Sequence, residues 1–361
     1  MALAACGTGS STSEVQPAEP DGVVNWSNWI EYTDVDEDSG ERPTLVRFQE
    51  EKGITVQLTE DINDNEEFYA KVRPTLEQGR DIGRDLVVLT DWMCARWINL
   101  GYSEKLNKDN IPGSSRIIER LKSPEYDPDR TYTIPWQSGF AGLGWNVPLL
   151  EDLAGKSELR TLDDLWDSAL RGRVGVVSEM RDTIGVIMMW QGNDPTDFGD
   201  DEFDAALAEL VKQIDNGQIR QVQGNDYLNS LENGDIAAVI GWSGDVVALG
   251  EEYGFALPES GGTLWTDTSM VPQGAGDQAD AEALLDWYTQ PEIAAEVAAY
   301  VQYLCPFEGA REAMEQVDPE LVDSEWIFPD EEQLSRGVIF KALSEEEEQR
   351  YQAAFQQAIG N

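Results

Sequence analysis

The chain has 361 residues, enough for two domains of ordinary size, and its 70 acidic against 25 basic residues give a formal net charge of −45. That charge excludes nucleic acid as a partner, because phosphate neutralisation needs basic surface, and it disfavours anionic lipid while favouring capture of cations. The chain has no histidine, which removes the commonest general base, the usual catalytic triads and most zinc sites.

Strand-like and helix-like segments alternate along the chain from residue 23 onwards, which predicts α/β architecture. The nearly continuous apolar run DLVVL at 85–89 is typical of a buried parallel strand. In the first part of the chain we expect strands at 23–29, 54–58 and 85–89, and helices at 43–52, 66–78 and from about 92 to 101.

The second part of the chain continues this alternation. The run IAAVIGW at 236–242 predicts another buried strand, and Ser344 with Glu347 forms a capping box for the last helix. We expect extended segments at 132–136, 142–145, 174–178, 236–242 and 269–272, and helices at 162–170, 182–190, 201–214, 279–289, 291–300, 307–316 and 344–357.

Two tryptophan–aspartate pairs, Trp242 with Asp245 and Trp265 with Asp267, lie in segments that look like loops. A tryptophan face attracts organic cations, and a nearby carboxylate accepts the N–H protons of the cation. The alternative is two core tryptophans with solvated aspartates beside them. An extended backbone would point Trp265 and Asp267 to the same side, because they are two residues apart.

The three cysteines suggest an exported protein. Cys6 closes the sequence LAAC, which resembles a bacterial lipobox, and a polar tether follows it to residue 22. Export would allow a Cys94–Cys305 disulfide, and the alternative is two buried free thiols. No stretch of the sequence is long and apolar enough to span a membrane, so any membrane contact would be through the lipid anchor alone.

Six segments in register resemble the bacterial polyamine-binding proteins, which are the spermidine/putrescine receptors of ABC transporters. The likeness runs from about Val23 to the C-terminus, and the six segments keep the order they have in the family. The segments are NWIEY at 28–32, DLVV at 85–88, YTIPW at 132–136, GLGWN at 142–146, WSGD at 242–245 and WTD at 265–267.

The resemblance implies a two-lobed periplasmic-binding-protein fold, type II-like, in which each lobe is a mixed sheet flanked by helices. The ligand cleft would lie between the lobes, which close by hinge motion. Lobe one would comprise 23–136 plus 267–308, and lobe two 137–266 plus 309–361, after a lipobox and flexible tether at 1–22.

The resemblance also assigns ligand contacts to particular positions of this chain. The chain departs from the family's pattern after the strand at 174–178, because the family's acidic positions fall on Met180 and Thr183. Glu179 or Asp182 would have to take the place of the family's acidic residues. The implied ligand-binding residues are Trp29, Tyr32, Thr90, Trp92, Asp182, Trp242, Asp245, Trp265, Asp267 and Tyr303.

These features predict a monomeric receptor that binds putrescine or spermidine and delivers it to an ABC-transporter permease. It would be held by its lipid on the extracellular face of the cytoplasmic membrane, or lie in the periplasm. We expect no enzymatic activity, cofactor or metal. The alternatives are a receptor of the same fold for thiamine or a betaine, and a carboxylate-dependent glycoside hydrolase. Two aspartates favour primary amines over betaines, which need an aromatic cage.

Overall fold

The computed structural model describes residues 21–36 and 38–360; Cys6 and nearly all of the predicted tether lie outside the described residues. Within them the chain alternates strands and helices. The strands are β1 Val23–Trp29, β2 Thr55–Ile62, β3 Leu86–Thr90, β4 Thr133–Asn146, β5 Val174–Val177, β6 Ile219–Gln223, β7 Ala238–Trp242, β8 Tyr253–Ala256, β9 Gly262–Met270 and β10 Gly337–Val338. The helices are α1 Pro43–Lys52, α2 Asn65–Leu76, α3 Asp91–Leu100, α4 Glu119–Lys122, α5 Val147–Ala154, α6 Leu162–Leu165, α7 Met180–Trp190, α8 Asp200–Asp215, α9 Tyr227–Glu232, α10 Ser243–Ala248, α11 Gln278–Tyr288, α12 Pro291–Val301, α13 Ala310–Val317, α14 Glu331–Ser335 and α15 Glu345–Ile359.

A mixed sheet in the order β2-β1-β3-β9-β4-β7-β5-β6 runs through the molecule, with β10 paired to β9 and β8 to β4. The strands at its two ends are parallel, β2, β1 and β3 on one side and β7, β5 and β6 on the other. Between them β9 and β4 pair antiparallel, from Thr133 opposite Met270 to Ala141 opposite Thr263. The two halves of the sheet are therefore joined by these crossing strands.

The α/β two-lobed fold class is confirmed, and two large hydrophobic cores correspond to its halves. The first core gathers β1, β3, α11 and α12, and the second gathers β5, β7, α7 and α8. The first core also contains Ala310, Met314 and Ile327, which the predicted division assigns to lobe two. The lobe boundaries stay a prediction, and core packing favours placing the last crossing after Ile327.

Local sequence signals account for most of these elements. β1 and α1 have the predicted bounds, and the Ser344–Glu347 capping box is present at the start of α15. Three expectations were wrong. The extended segments at 132–136 and 142–145 are one strand, β4. The helix at 162–170 stops at Leu165 and resumes as a short 3-10 turn. The segment holding Trp265 and Asp267 is the middle of β9 and not a loop.

Of the two alternatives for Cys94 and Cys305, the structure has the second, because both residues are separate buried thiols. The Cys94 thiol donates to the carbonyl oxygen of Leu89 at 3.4 Å and accepts from the Thr268 hydroxyl at 2.9 Å. Cys305 instead lies against the carbonyl oxygen of Ala294, at 3.9 Å. Among the described residues, no helix has the length and apolar character needed to cross a membrane.

Candidate functional site

A cleft lies where the parallel strands of both halves end. Open α/β sheets bind ligands at the carboxyl ends of their strands. Trp29 ends β1, Thr90 ends β3 and Trp242 ends β7. The full lining is Trp29, Ile30, Tyr32, Asn63, Asp64, Asn65, Thr90, Ser178, Glu179, Asp182, Asn225, Trp242, Asp245, Trp265, Asp267 and Tyr303.

The charge of this lining has one sign. Five of the lining residues are acidic and none is lysine or arginine. We call the five the cleft carboxylates: Asp64, Glu179, Asp182, Asp245 and Asp267. A concave site with this lining concentrates a negative field, which attracts cations and repels anions.

A continuous row of aromatic rings, here called the aromatic wall, crosses the cleft. It consists of Tyr32, Tyr303, Trp265 and Trp242. Neighbouring ring centroids are 5.7 Å apart for Tyr32 and Tyr303, 5.1 Å for Tyr303 and Trp265, and 6.5 Å for Trp265 and Trp242. All three contacts are edge-to-face, the arrangement that aromatic quadrupoles prefer.

The backbone beside the aromatic wall is adapted to hold it. Glu31 and Gln302, each immediately before a wall tyrosine, adopt left-handed φ angles of 55° and 54°. A Cβ on Gly244 would lie 2.5 Å from the Tyr303 ring, and one on Gly139 would lie 2.7 Å from the Trp265 ring. Only glycine at these two positions therefore leaves room for both rings. The left-handed backbone of Glu31 and Gln302 is strained, and such strain is typical of functional sites.

Asp267 lies on β9, in the half of the cleft that β3 contributes. The Thr90 hydroxyl donates to its carboxylate at 2.8 Å, and Asn65 donates in turn to the Thr90 oxygen at 2.8 Å. Burial raises the pKa of Asp267 to about 7, and the Thr90 hydrogen bond only partly offsets that rise. This carboxyl is therefore poised to ionise near neutrality when a cation approaches.

Asp245 lies across the cleft, in the first turn of α10. The Tyr227 hydroxyl donates to its carboxylate at 3.2 Å and accepts from the Trp242 backbone N–H at 3.1 Å. Burial raises the pKa of Asp245 to about 6, and hydrogen bonding by Tyr303 and Tyr227 opposes the rise. The cleft thus has one proton-sensitive carboxyl on each side, buried for Asp267 and half-buried for Asp245.

Asp182 lines the cleft, but both of its carboxylate oxygens already have partners. The Trp242 indole N–H donates to one oxygen at 2.7 Å, and the Thr263 hydroxyl donates to the other at 2.5 Å. These bonds fix the orientation of the Trp242 ring. Glu179 is the N-cap of α7, and Asp182 lies in the first turn of that helix.

Glu179 is the cleft carboxylate with the weakest commitments. One of its oxygens is 3.5 Å from the Asn65 amide nitrogen. The other accepts from the Arg181 backbone N–H at 3.3 Å and is 3.9 Å from an Arg181 guanidinium nitrogen. Burial raises its pKa well above the usual glutamate value, and the Arg181 charge opposes that rise. Of the two candidates for the family's acidic position, Glu179 has the freer oxygens.

Trp92 is the predicted site residue that the structure does not place with the others. It lines a neighbouring groove, and the Arg181 guanidinium lies 3.9 Å from its ring centroid, with Arg96 at 5.0 Å. Because resident cations occupy its surface, Trp92 offers no free face to a ligand. The other nine predicted residues all line the cleft.

Sequence reasoning missed the segment 63–65 and the residues that meet it across the cleft. Asp64 caps α2, and its second oxygen accepts from the Ser178 hydroxyl at 2.8 Å. The Asn225 backbone N–H donates to the Asn63 carbonyl oxygen at 3.4 Å. The sequence pattern that could have predicted this segment is a polar run between a strand and the N-terminus of the next helix, because a cleft at strand ends forms there.

The fold and this cleft together define a two-lobed solute receptor. The chain belongs to the bacterial extracellular solute-binding protein family, whose sequence profile matches residues 44–327. The putrescine-binding periplasmic protein PotF of Escherichia coli K12 is 23% identical over 327 residues, which cover 85% of this chain and 82% of the relative. The spermidine/putrescine-binding periplasmic protein of the same organism is 24% identical over 324 residues, 89% of this chain and 87% of the relative.

Solved structures are similar in fold. The TpPotD lipoprotein of Treponema pallidum superposes with a TM-score of 0.77 at 20% identity, covering 94% of this chain and 100% of that one. PotD of Streptococcus pneumoniae superposes with a TM-score of 0.72 at 21% identity, covering 93% and 98%. At these identities the superpositions establish a shared two-lobed architecture.

Proposed function

We propose that the chain is an extracellular receptor that binds a polyamine, putrescine or spermidine, and delivers it to the permease of an ABC importer. The observation that carries this proposal is the cleft itself, which combines an aromatic wall with five carboxylates and has no lysine or arginine in its lining. The names of the relatives, a putrescine-binding and a spermidine/putrescine-binding periplasmic protein, support the same ligand class.

The cleft chemistry fits a protonated diamine. The aromatic wall packs on the methylene chain and attracts the ammonium groups, while Asp245 and Asp267 accept their N–H protons. A desolvated cation–π contact contributes about 2 kcal/mol and a charge-assisted hydrogen bond about 1.5–3 kcal/mol. A few contacts of each kind exceed the association cost and reach micromolar affinity or tighter.

The receptor acts without catalysis, as a monomer held at the outer face of the cytoplasmic membrane, or in the periplasm, through a lipid on Cys6. The sequence LAAC supports this placement. Cells fed radiolabelled palmitate should label the chain but not its Cys6→Ala variant. Equal labelling of both proteins would exclude the anchor.

Two other functions share some of these features. A betaine or thiamine receptor would need an aromatic cage around a quaternary or ring nitrogen, and buried carboxylates add little to such a cage. A glycoside hydrolase would turn over sugar substrates using a pair of carboxylates. The primary-amine receptor is favoured because both Asp245 and Asp267 present carboxylates to the same cleft.

The test is a calorimetric titration of putrescine, spermidine, thiamine and glycine betaine into the wild type and the Asp245→Asn/Asp267→Asn variant. We expect polyamine binding alone, weakened about 10²- to 10⁴-fold in the variant, since two charge-assisted hydrogen bonds are lost. The matched control replaces exposed Glu151 and Asp152 with their amides and should leave the affinity unchanged. Wild-type protein that gives no heat with either polyamine would refute the proposal.

A further inference from the structure

The two ends of the sheet meet beside the cleft. Strands β2 and β6 are the first and last in the sheet order, and they belong to different halves, with β2, β1 and β3 in the first and β7, β5 and β6 in the second. The segment after β2 nevertheless touches the segments that follow β5 and β6. We call this the sheet-end contact: Asn63 and Asp64 on one side, and Ser178, Gly224 and Asn225 on the other.

Two hydrogen bonds cross the sheet-end contact. The Ser178 hydroxyl donates to the Asp64 carboxylate at 2.8 Å, and the Asn225 backbone N–H donates to the Asn63 carbonyl oxygen at 3.4 Å. The other Asp64 oxygen accepts from two backbone N–H groups in the first turn of α2, which it caps. The first half therefore presents an acceptor of fixed orientation, and the second half supplies the donors.

Gly224 allows the two backbones to approach each other. It is buried, and a Cβ at this position would lie 2.6 Å from the Asn63 carbonyl oxygen and 2.9 Å from the Asn63 side-chain nitrogen. Its φ lies outside the left-handed region, so alanine suits the local backbone and its conflict is with the opposite half. Gly224 is not among the described residues that line the cleft. A side chain here would therefore hold the halves apart without touching a bound ligand.

The charge of the cleft opposes the approach of the halves. Asp64 and Asp267 enter the cleft lining from the first half. Glu179 and Asp245 enter it from the second half, so closure brings carboxylates of like charge together. A diamine bound as proposed above neutralises carboxylates on both sides and removes this opposition. The sheet-end contact can then hold the cleft shut.

We propose that the sheet-end contact holds the cleft closed over its ligand, so that Gly224, which lies outside the cleft lining, helps to set how long the ligand stays bound. The inference rests on the proposed polyamine function and specifies how the same site retains its ligand. Gly224 and Ser178 are positioning residues in this scheme. A change that opposes the contact raises the free energy of the closed state alone, so it speeds dissociation and leaves association nearly unchanged.

The test measures putrescine binding to the wild type, Gly224→Ala and Ser178→Ala by calorimetry and stopped-flow kinetics. The clash of Gly224→Ala with the Asn63 backbone should weaken affinity about ten- to a hundredfold, through faster dissociation. Ser178→Ala removes one crossing hydrogen bond and should weaken affinity about three- to tenfold. Gly276→Ala, where a Cβ would meet nothing within 4 Å, is the control and should bind like the wild type.

Small-angle X-ray scattering at saturating putrescine supplies a readout that damage to the cleft lining alone would not move. Gly224→Ala should have a larger radius of gyration than the wild type, and Gly276→Ala should not. Dissociation from Gly224→Ala and Ser178→Ala as slow as from the wild type would overturn the inference, and so would weaker binding caused by slower association. A wild type that binds neither putrescine nor spermidine refutes the proposed function itself, and with it the role of the contact in retaining a polyamine.

Discussion

Putrescine affinity should fall steeply as the pH is lowered from 8 to 5. Burial raises the pKa of Asp245 to about 6 and that of Asp267 to about 7 in the empty cleft. Alkylamines, with pKa values of about 10, stay protonated over this range. An ammonium group binds the ionised carboxylate, so each protonated carboxyl must lose its proton before the ligand can bind.

The size of the effect follows from these two pKa values. At pH 5 about one molecule in ten has Asp245 ionised and about one in a hundred has Asp267 ionised, whereas at pH 8 nearly all have both. If the bound ligand holds both carboxyls ionised, the affinity falls by about 10³-fold, or about 4 kcal/mol. Most of that loss comes below pH 7, where the two titrations overlap.

The assay is isothermal titration calorimetry at several pH values, in pairs of buffers with different ionisation enthalpies. The buffer difference counts the protons released on binding, which should approach two at pH 5 and fall below one at pH 8. Asp267→Asn removes one titration, so this variant should bind weakly throughout and lose only about tenfold over the same range. Wild-type affinity that stays within about threefold from pH 8 to pH 5 would refute the carboxylate mechanism.

Three further predictions concern the protein without ligand or with altered packing. Because the folded-state pKa values of Asp245 and Asp267 lie above those of the unfolded chain, their stabilising contribution is complete below about pH 4 and is lost as the pH rises to about 7. The melting temperature difference between the wild type and Asp245→Asn/Asp267→Asn should therefore depend on pH over that window, and a constant difference would contradict the raised pKa values. Gly244→Ala should displace Tyr303, costing about 1–3 kcal/mol of stability and weakening ligand binding; Gly276→Ala, which meets nothing within 4 Å, is the control. Alkylation of the denatured, unreduced protein should modify both Cys94 and Cys305, and protection of both thiols would restore the disulfide.

The sequence predicts the strands whose burial shows as an apolar run, and it fails where the buried strands are polar. β3 and β7 are apolar and were placed within a few residues. β4 was divided in two because Gln137, Ser138 and Gly139 interrupt its pattern, yet Gln137 and Ser138 are buried at 3% and 0% exposure. Ser138 donates to the Trp265 carbonyl oxygen of β9 at 2.5 Å. The Ser138 hydroxyl of β4 is satisfied by the neighbouring strand β9, and that pairing depends on tertiary contact.

The site divides in the same way. The local sequence predicts that aromatic and acidic residues at strand ends lie in the cleft. Trp242 and Asp245 line the cleft as predicted. The roles of Asp182 and Trp92 depend on partners distant in the chain, Thr263 and Glu348 among them. Trp242 and Thr263 take up the Asp182 carboxylate, and Arg181, itself held by Glu348, covers the Trp92 ring. No spacing rule encodes those contacts, so a motif can place a residue near a site without revealing what it touches.

From the positions of the two aspartates, we expect a ligand charged at both ends to bridge the two sides of the cleft. Asp267 is tied through Thr90 to the β3 side of the sheet, and Asp245 through Tyr227 to the β7 side. A diamine that pairs with both carboxylates draws the halves together, whereas a monoamine can satisfy only one of them. Each of these carboxyls favours its protonated form in the absence of an ammonium group. The second ammonium group therefore contributes most to binding when both sides of the cleft already surround the ligand. We therefore expect ligand charge and lobe closure to be coupled through the same two side chains.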